Sequence, residues 1–233
     1  MTWLRQLTLQ NKLYLAFGVF IFLLIFLSGF SNWQFYATDK KYNTLITSTY
    51  GQRNNLSRAG TDTSKLYLTN LSKGFHATIG SNSHVMAALA DEHEHYVKSI
   101  TGHLHTYRDQ VSTDRVLSPE EKSHLLTRLT SIESLLVDEY LPKTNELDNL
   151  LYGDSQSLYR VLVEALEIGN RIAIELDTLY GTTARIADDR LLETTLHSQQ
   201  VIISSLLIGL FLFLFAIGAA VVSSRAIKAP IKR

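Results

Sequence analysis

The sequence predicts an all-α membrane protein in which two transmembrane helices flank an extracytoplasmic antiparallel four-helix bundle. Two observations at the ends predict the membrane helices: residues 13–30 and 201–222 are apolar or small almost throughout and carry no charge. A third observation, between them, predicts the bundle: apolar residues recur at alternating steps of three and four, with few turn signals. No stretch shows a convincing strand-like alternation of polar and apolar residues.

Both apolar runs are long enough to cross a bilayer. Residues 201–222 read VIISSLLIGLFLFLFAIGAAVV, which is about 33 Å of helix against a hydrocarbon core of about 30 Å. Residues 13–30 read LYLAFGVFIFLLIFLSGF and are followed by Trp33 and Tyr36, which are typical interface anchors. A signal peptide is the alternative for this first run. We expect an uncleaved helix, because Tyr36 and Asp39 stand where a small-x-small cleavage site would be.

The charges are sorted along the chain. Residues 31–200 hold all 22 acidic residues and 16 of the 22 basic ones, and the other six bases lie outside this segment. The positive-inside rule therefore predicts cytoplasmic termini and an external middle segment. The predicted divisions are a cytoplasmic N-terminus at 1–12, a transmembrane helix at 13–33, the extracytoplasmic bundle at 34–200, a second transmembrane helix at 201–222 and a cytoplasmic linker at 223–233.

The chain has no cysteine. An exported domain of this length without disulfides depends on a hydrophobic core, and this pattern is more typical of a bacterial inner-membrane protein than of a eukaryotic secreted one. Thiol catalysis and thiolate metal sites are excluded. Two asparagine sequons, at Asn55 and Asn70, are interpreted as chance matches.

Three breaks divide the external segment into four helices. Residues 74–83 interrupt the first pattern and supply caps for a helix beginning near His84. Ser118, Pro119 and Glu121 form a capping box with proline at the first helical position. Gly153, Asp154 and Ser155 precede the last helix.

The apolar seams of these helices follow a heptad-like spacing, which favours packing at about 20°. The first helix is the weakest of the four, because a polar run at 52–57 and two glycines interrupt it. The predicted seam residues are Leu45, Tyr50, Leu56, Leu66 and Leu71 in the first helix; Met86, Leu89, His93, Tyr96, Ile100, His103 and Tyr107 in the second; Leu125, Leu129, Ile132, Leu136, Leu147 and Leu150 in the third; and Leu158, Leu162, Ala165, Gly169, Ile172, Leu176, Leu179, Thr183 and Ile186 in the fourth.

No break signal separates the first and fourth helices from the adjoining apolar runs. Each is therefore predicted to continue into the membrane as one rod of about 90 Å, at 1.5 Å per residue. The small-residue pairs Ser205/Gly209 and Ala216/Ala220 are candidate helix contacts within the bilayer.

This arrangement resembles the sensory half of methyl-accepting chemotaxis proteins with a four-helix-bundle ligand-binding domain, and of related sensor histidine kinases. The resemblance rests on the architecture and on three short motifs: LQNKL at 9–13 followed by Phe17, NLLYGD at 149–154, and RAIKAPI at 225–231, which is similar to the start of a HAMP linker. It implies a receptor input module that signals to cytoplasmic partners. We expect a parallel homodimer, because the first and fourth helices need partners along their length. We expect the HAMP helices and an output region to lie beyond this sequence.

Fixed charges on polar helix faces are the candidates for binding a small ligand. Arginine suits a carboxylate because its planar group can bond both oxygens. The first and fourth helices both start at the membrane, so residues that share a site should lie at the same distance from it. At about 35–50 Å by helix rise, this criterion selects polar residues on these two helices. The candidates are Arg53, Arg58, Lys65, Arg171, Thr178 and Thr182.

The candidate set is similar to that of amino-acid-binding chemoreceptors, in which arginines of helix one and a threonine of helix four hold the ligand across a dimer seam. It departs from that pattern because Arg53 and Arg58 are five residues apart and do not share a face. The alternative interpretation is that they are solvated surface bases. A small solute, or a periplasmic binding protein carrying one, is the expected ligand.

Eight histidines raise the question of a metal. The run Asp91 to His95, with His103 and His105, is dense in possible ligands, but the members of each His-x-His pair lie on opposite faces of a helix. His93 and His103 are about 15 Å apart along the axis. No metal or cofactor is therefore predicted, although a site shared with another helix and a pH-sensing role stay open.

The sequence holds no phosphate loop, nucleophile motif or basic-aromatic surface, which argues against enzymatic and nucleic-acid-binding functions. Three alternatives to a chemoreceptor input remain. They are the input half of a histidine kinase or cyclic-dinucleotide signalling protein, a structural membrane bundle without a ligand, and a histidine-bound metal hydrolase.

Overall fold

The structure, a computed structural model, describes residues 9–80, 82–151 and 155–228. Within these ranges all regular structure is helical and no strand occurs, so the all-α prediction is confirmed. Two of the helices are long and contain the apolar runs. The elements are α1 (Leu9–Thr78), α2 (Ser83–Thr113), α3 (Pro119–Ser134), a π-helical segment (Leu135–Tyr140), α4 (Leu141–Leu150) and α5 (Ser155–Lys228).

Side-chain caps fix where α2 and α3 begin. The Asn82 side chain accepts a hydrogen bond from the His84 backbone N–H at 3.0 Å. Ser118 and Glu121 form the predicted capping box: Ser118 Oγ accepts from Glu121 N at 3.2 Å, and Ser118 N donates to Glu121 Oε2 at 2.7 Å. Gly153 and Asp154, which were predicted to precede the last helix, lie outside the described residues, and α5 begins at Ser155.

The predicted break at 74–83 is partly wrong, because α1 continues through Gly74 to Thr78. A Cβ atom on Gly74 would lie 2.4 Å from Leu162 Cδ2, closer than any real contact. Glycine therefore serves here to let α1 approach α5 closely. The chain turns after Thr78, where Gly80 has a φ of 65°.

The third predicted helix is continuous but contains a widened turn. The π-helical segment ends at Tyr140, directly before Leu141 and Pro142. Proline has no N–H for the carbonyl four residues earlier, so a normal α-helical ladder cannot run through it unbroken. In an α-helix, residues four apart point in directions that differ by about 40°, so a series spaced by four would turn away from the core. The wider π turn offsets this rotation. Leu136, Tyr140 and Thr144 are consequently all buried.

The chain divides into two compact units: unit 1 is Met1–Asn43 with Leu191–Arg233, and unit 2 is Thr44–Arg190. The core of unit 2 takes residues from α1, α2, α3, the π-helical segment and α5. A smaller cluster around Leu147 and Leu158 packs α4 against α5. Of the seams predicted for the third and fourth helices, every residue is buried except Leu150 and Ile186, which are half-buried.

The seams predicted for the first two helices need correction. Tyr50 and Leu71 are 73% and 44% exposed, so they do not belong to the buried face of α1. That face instead follows steps of three and four that include polar residues. Its members are Gln52, Leu56, Ala59, Thr63, Leu66, Asn70 and Lys73. In α2, Leu89, Tyr96 and His103 are only half-buried, and Leu104 and Val111 complete the core.

Unit 1 pairs the apolar stretches of α1 and α5. Ser31 Oγ and Ser205 Oγ lie 3.4 Å apart, and a Cβ on Gly209 would lie 4.0 Å from Leu27 Cδ2. The contact predicted for the Ser205/Gly209 pair is thus present, whereas Ala220 lies outside the side chains described. Both helices are long and apolar enough to cross a membrane, and most of their large apolar side chains here are exposed.

Candidate functional site

The predicted ligand-binding residues lie on several different interfaces of a single chain. Arg53 faces α5: its Nη2 donates to the Tyr180 hydroxyl at 2.9 Å, and its guanidinium carbon lies 5.1 Å from the centre of the Tyr180 ring. Lys65 faces α2, with Nζ 5.5 Å from the centre of the Tyr96 ring. The two bases therefore stack on aromatic rings of different helices.

The remaining candidates are also separate from each other. Arg171 forms a 2.8 Å ion pair with Glu139 of the π-helical segment. The hydroxyls of Thr178 and Thr182 each donate to the carbonyl four residues earlier in α5, at 2.8 Å. Arg58 is exposed. One chain therefore does not bring the six residues into a common pocket.

A different set of polar side chains does converge inside unit 2. We refer to it as the core polar cluster; its members are Asn70 and Lys73 of α1, His93 of α2, Tyr140 of the π-helical segment and Asp148 of α4. Four of the five are buried, and Asn70 has no exposed surface. Asp148 is the member that reaches solvent. Polar groups this deep in a protein are normally all paired, so the partners of each member need to be identified.

An ion pair closes one side of the cluster. Lys73 Nζ lies 2.8 Å from Asp148 Oδ1 and 3.1 Å from Asp148 Oδ2, so the ammonium bonds both carboxylate oxygens. The Lys73 side chain is 1% exposed, whereas that of Asp148 is 38% exposed. The burial cost thus falls on the lysine, which makes Asp148 its essential counter-charge.

The other side of the cluster is built around the Tyr140 ring. Asn70 Nδ2 donates a hydrogen bond to the Tyr140 hydroxyl. The His93 ring stacks on the Tyr140 ring, with centroids 6.3 Å apart and an angle of 17° between the planes. Asn70 Oδ1 and His93 Nε2 are buried and have no protein partner. Each buried polar atom without a hydrogen-bond partner carries an energetic cost.

Burial sets the protonation states in the cluster. Burial, reinforced by the positive charge of Lys73, lowers the pKa of His93 to about 4. Burial raises the pKa of the Tyr140 phenol well above its usual value. At neutral pH the cluster therefore holds a neutral imidazole, a neutral phenol and one ion pair.

The space beside the cluster is too small for a ligand larger than water. A cavity next to Tyr140 offers about 10 Å³ to a water-sized sphere, which is room for about one molecule. Its walls are almost entirely apolar and include Leu136, Gly169 and Ile172. In this conformation the cluster ties α1, α2, the π-helical segment and α4 together and does not form an open binding pocket.

A second polar group joins α1 to the loop after α2. Asp114 accepts hydrogen bonds from Ser48 Oγ and from Gln52 Nε2, the latter at 2.8 Å. Its other oxygen accepts from the Val116 backbone N–H at 2.7 Å. The polar run of α1 that interrupts its apolar pattern thus has partners in the interface with α2.

The histidine-rich stretch forms no metal centre within the residues described. His103 Nε2 lies 3.8 Å from Asp62 Oδ2, and its Nδ1 lies 3.4 Å from Asn55 Oδ1. Across the described part of the chain, no group of three or more histidine, aspartate or glutamate side chains is placed to hold a metal ion.

Four members of the core polar cluster were missed by the sequence reasoning, which singled out only His93. Asn70 and Lys73 extend the series Ala59, Thr63 and Leu66 by the same steps of three and four. That periodicity was the available signal, and it is hidden when only apolar residues are counted. Tyr140 follows Leu136 by four residues and precedes Thr144 by four, so it continues the seam of the third predicted helix. For Asp148 no comparable pattern exists.

Comparison of the chain with protein-family models, with curated proteins and with solved structures finds no match.

Proposed function

We propose that the chain is the input module of a bacterial transmembrane receptor. Unit 2 would be an extracytoplasmic antiparallel four-helix bundle, both termini would be cytoplasmic, and the chain would reside in the inner membrane. One observation carries the proposal: α1 and α5 each run without a helical break from an apolar stretch into unit 2. A continuous helix can pass a small shift or rotation along its length, which a flexible loop cannot.

The stimulus in this proposal is a small solute, or a periplasmic binding protein carrying one. A ligand changes the balance between two packings only by binding one of them more tightly. Arg53, Arg58, Lys65, Arg171, Thr178 and Thr182 remain the proposed contacts, in a site that needs a second copy of the chain. The output would pass through α5 to a HAMP linker and cytoplasmic signalling partners of the chemotaxis or kinase type.

A homodimer is supported by a second stripe along α1, on a face that unit 2 leaves largely uncovered. Its residues follow alternating steps of four and three, as in the seam of a coiled coil. All are exposed except Asn54, which is half-buried. We call this the outer stripe; it consists of Tyr50, Asn54, Ser57, Thr61, Ser64, Leu68, Leu71 and Phe75. A second copy of α1, packed in parallel, would bury these side chains.

Cysteine labelling tests the topology, because the native chain has no cysteine. In intact cells, a membrane-impermeant maleimide should label Glu167→Cys, whereas Arg5→Cys and Arg225→Cys should react only after lysis. Labelling of Arg5→Cys and Arg225→Cys from opposite sides would contradict the proposal.

Ligand binding is tested on the full chain in lipid nanodiscs, with natural amino acids and short carboxylic acids as probes. At a hundredfold excess over its Kd, a binding probe should raise the thermal midpoint by about 5–10 °C. Arg53→Gln should reduce this rise, whereas Arg185→Gln, which alters an exposed arginine of α5, should not. If no probe or partner protein shifts the midpoint, a structural bundle becomes the better interpretation.

A further inference from the structure

Unit 1 contains an open groove between α1 and α5. Its α1 wall consists of Phe35, Thr38, Asp39 and Tyr42, which are spaced to lie on one helical face. Its α5 wall consists of Thr194, Thr195, Ser198 and Gln199. The groove has a volume of about 290 Å³, close to the lower limit for small-molecule sites.

The groove carries one negative charge among aromatic and hydroxyl groups. Asp39 Oδ2 accepts a hydrogen bond from Asn43 Nδ2 at 3.1 Å, and in the part of the chain that the structure describes Asp39 takes part in no ion pair. The rings of Phe35 and Tyr42 are partly exposed. Thr195 Oγ1 donates to the Leu191 carbonyl at 2.8 Å, which leaves its oxygen lone pairs as acceptors.

This combination suits an ammonium group. A carboxylate supplies the counter-charge, hydroxyl oxygens accept N–H hydrogen bonds, and aromatic faces attract a cation. A phosphate or carboxylate placed in the groove would be repelled by Asp39, since like charges at close range disfavour each other. The site therefore selects a cation.

The groove also lies at a defined depth if the apolar runs cross a bilayer. Its α5 wall begins two residues before Val201, the first residue of the second apolar run, so it spans about 3–10 Å along the helix from that point. Its α1 wall begins two residues after Trp33, the last residue of the first predicted transmembrane helix, and lies about 3–14 Å from that residue along the helix. The polar layer of a bilayer is about 5–8 Å thick on each side, so the membrane-facing half of the groove lies at the level of the lipid head groups.

We propose that this groove binds the head group of an amine-bearing phospholipid, of the phosphatidylethanolamine type, with the ammonium against Asp39. The inference rests on the membrane placement proposed above. The acyl chains would continue alongside the exposed apolar side chains of unit 1, and the phosphate would stay outside the groove. The lipid would then act as a bound component of the α1–α5 pair at the outer face of the membrane.

The test uses the full chain in nanodiscs of phosphatidylglycerol with increasing fractions of phosphatidylethanolamine. Bound lipid is counted by native mass spectrometry after release. We expect phosphatidylethanolamine to be retained about tenfold over phosphatidylglycerol, as one charge-assisted contact predicts. Asp39→Asn should remove this preference, whereas Asp177→Asn, which alters an exposed aspartate in unit 2, should keep it.

Three outcomes would overturn the proposal. They are equal retention of the two lipids, the same preference in Asp39→Asn, and tighter binding of free ethanolamine than of the lipid. The last would identify a soluble amine as the ligand of the groove. Maleimide labelling of Arg5→Cys and Arg225→Cys in the same preparations keeps these outcomes separate from a failure of the proposed topology.

Discussion

Lys73 Nζ lies 2.8 Å from Asp148 Oδ1, yet the lysine side chain is almost fully buried and the aspartate reaches solvent. The two halves of this pair are therefore not equivalent. Removing the carboxylate leaves a buried ammonium without a counter-charge, whereas removing the ammonium leaves a carboxylate that water can solvate.

This asymmetry gives the first prediction. Asp148→Ala should destabilise the full chain by about 3–5 kcal/mol, and Lys73→Met should cost clearly less. The double variant should cost less than the sum of the two, because neither charge is then left alone. Thermal unfolding of the full chain in nanodiscs, followed by circular dichroism, measures all three. Equal costs for the two single variants would contradict the burial argument.

The depressed pKa of His93 predicts that acid destabilises unit 2. The unfolded chain binds a proton at His93 below its ordinary pKa of 6.5, while the folded chain binds it only below about 4. Stability is therefore fully present above pH 6.5 and falls as the pH drops from 6.5 toward 4, by on the order of 3 kcal/mol.

The matched variants for this effect are His93→Phe and His124→Gln. His93→Phe keeps a ring to stack on Tyr140 and should flatten the decline between pH 6.5 and 4. His124 is exposed, so His124→Gln should leave the decline unchanged. An unaltered pH profile in His93→Phe would show that other groups cause the acid sensitivity.

The contact between Ser31 and Ser205 predicts a disulfide. Their hydroxyl oxygens are 3.4 Å apart, so a Ser31→Cys/Ser205→Cys chain should form an intramolecular bond on mild oxidation. The control is Ser28→Cys/Ser204→Cys, because both of those serines are exposed. Faster migration of the oxidised monomer on a denaturing gel reports the bond. Equal oxidation of both pairs would argue against a fixed pairing in unit 1.

The outer stripe predicts where two copies of the chain meet. Ser64→Cys should form disulfide-linked dimers in membranes, since equivalent seam positions of two parallel helices face each other. Ser123→Cys lies on an exposed face of α3 and should stay monomeric. Dimers formed equally by both variants, or by neither, would remove the support that the outer stripe gives to a parallel homodimer.

Local signals predicted the helices well. Ser118 and Glu121 specified the start of α3 because a capping box involves only neighbouring residues. The seam of α5 was readable because the residues from Leu158 to Leu179 that face the core are apolar or small. The positive-inside rule and the resemblance to chemoreceptors lead to predictions that the structure leaves as proposals.

The polar interior was not predictable in the same way. Lys73 and Asp148 are far apart in the sequence, and nothing local identifies them as partners. Tyr50 and Leu71 were assigned to the wrong face of α1, because an apolar residue was assumed to point inward. The inner face of α1 holds glutamine, threonine, asparagine and lysine, which became recognisable only when their partners were visible.

The polar residues on the inner face of α1 have a mechanical consequence. Gln52, Asn70 and Lys73 each form a directional hydrogen bond to another part of unit 2. Such a bond weakens when its two atoms move apart by a fraction of an ångström, whereas apolar side chains can slide past each other with little loss of contact. Axial travel of α1 within unit 2 would have to exchange one set of bonded partners for another. We therefore expect α1 to move along its axis between discrete positions, each with its own set of hydrogen bonds, and not by continuous sliding.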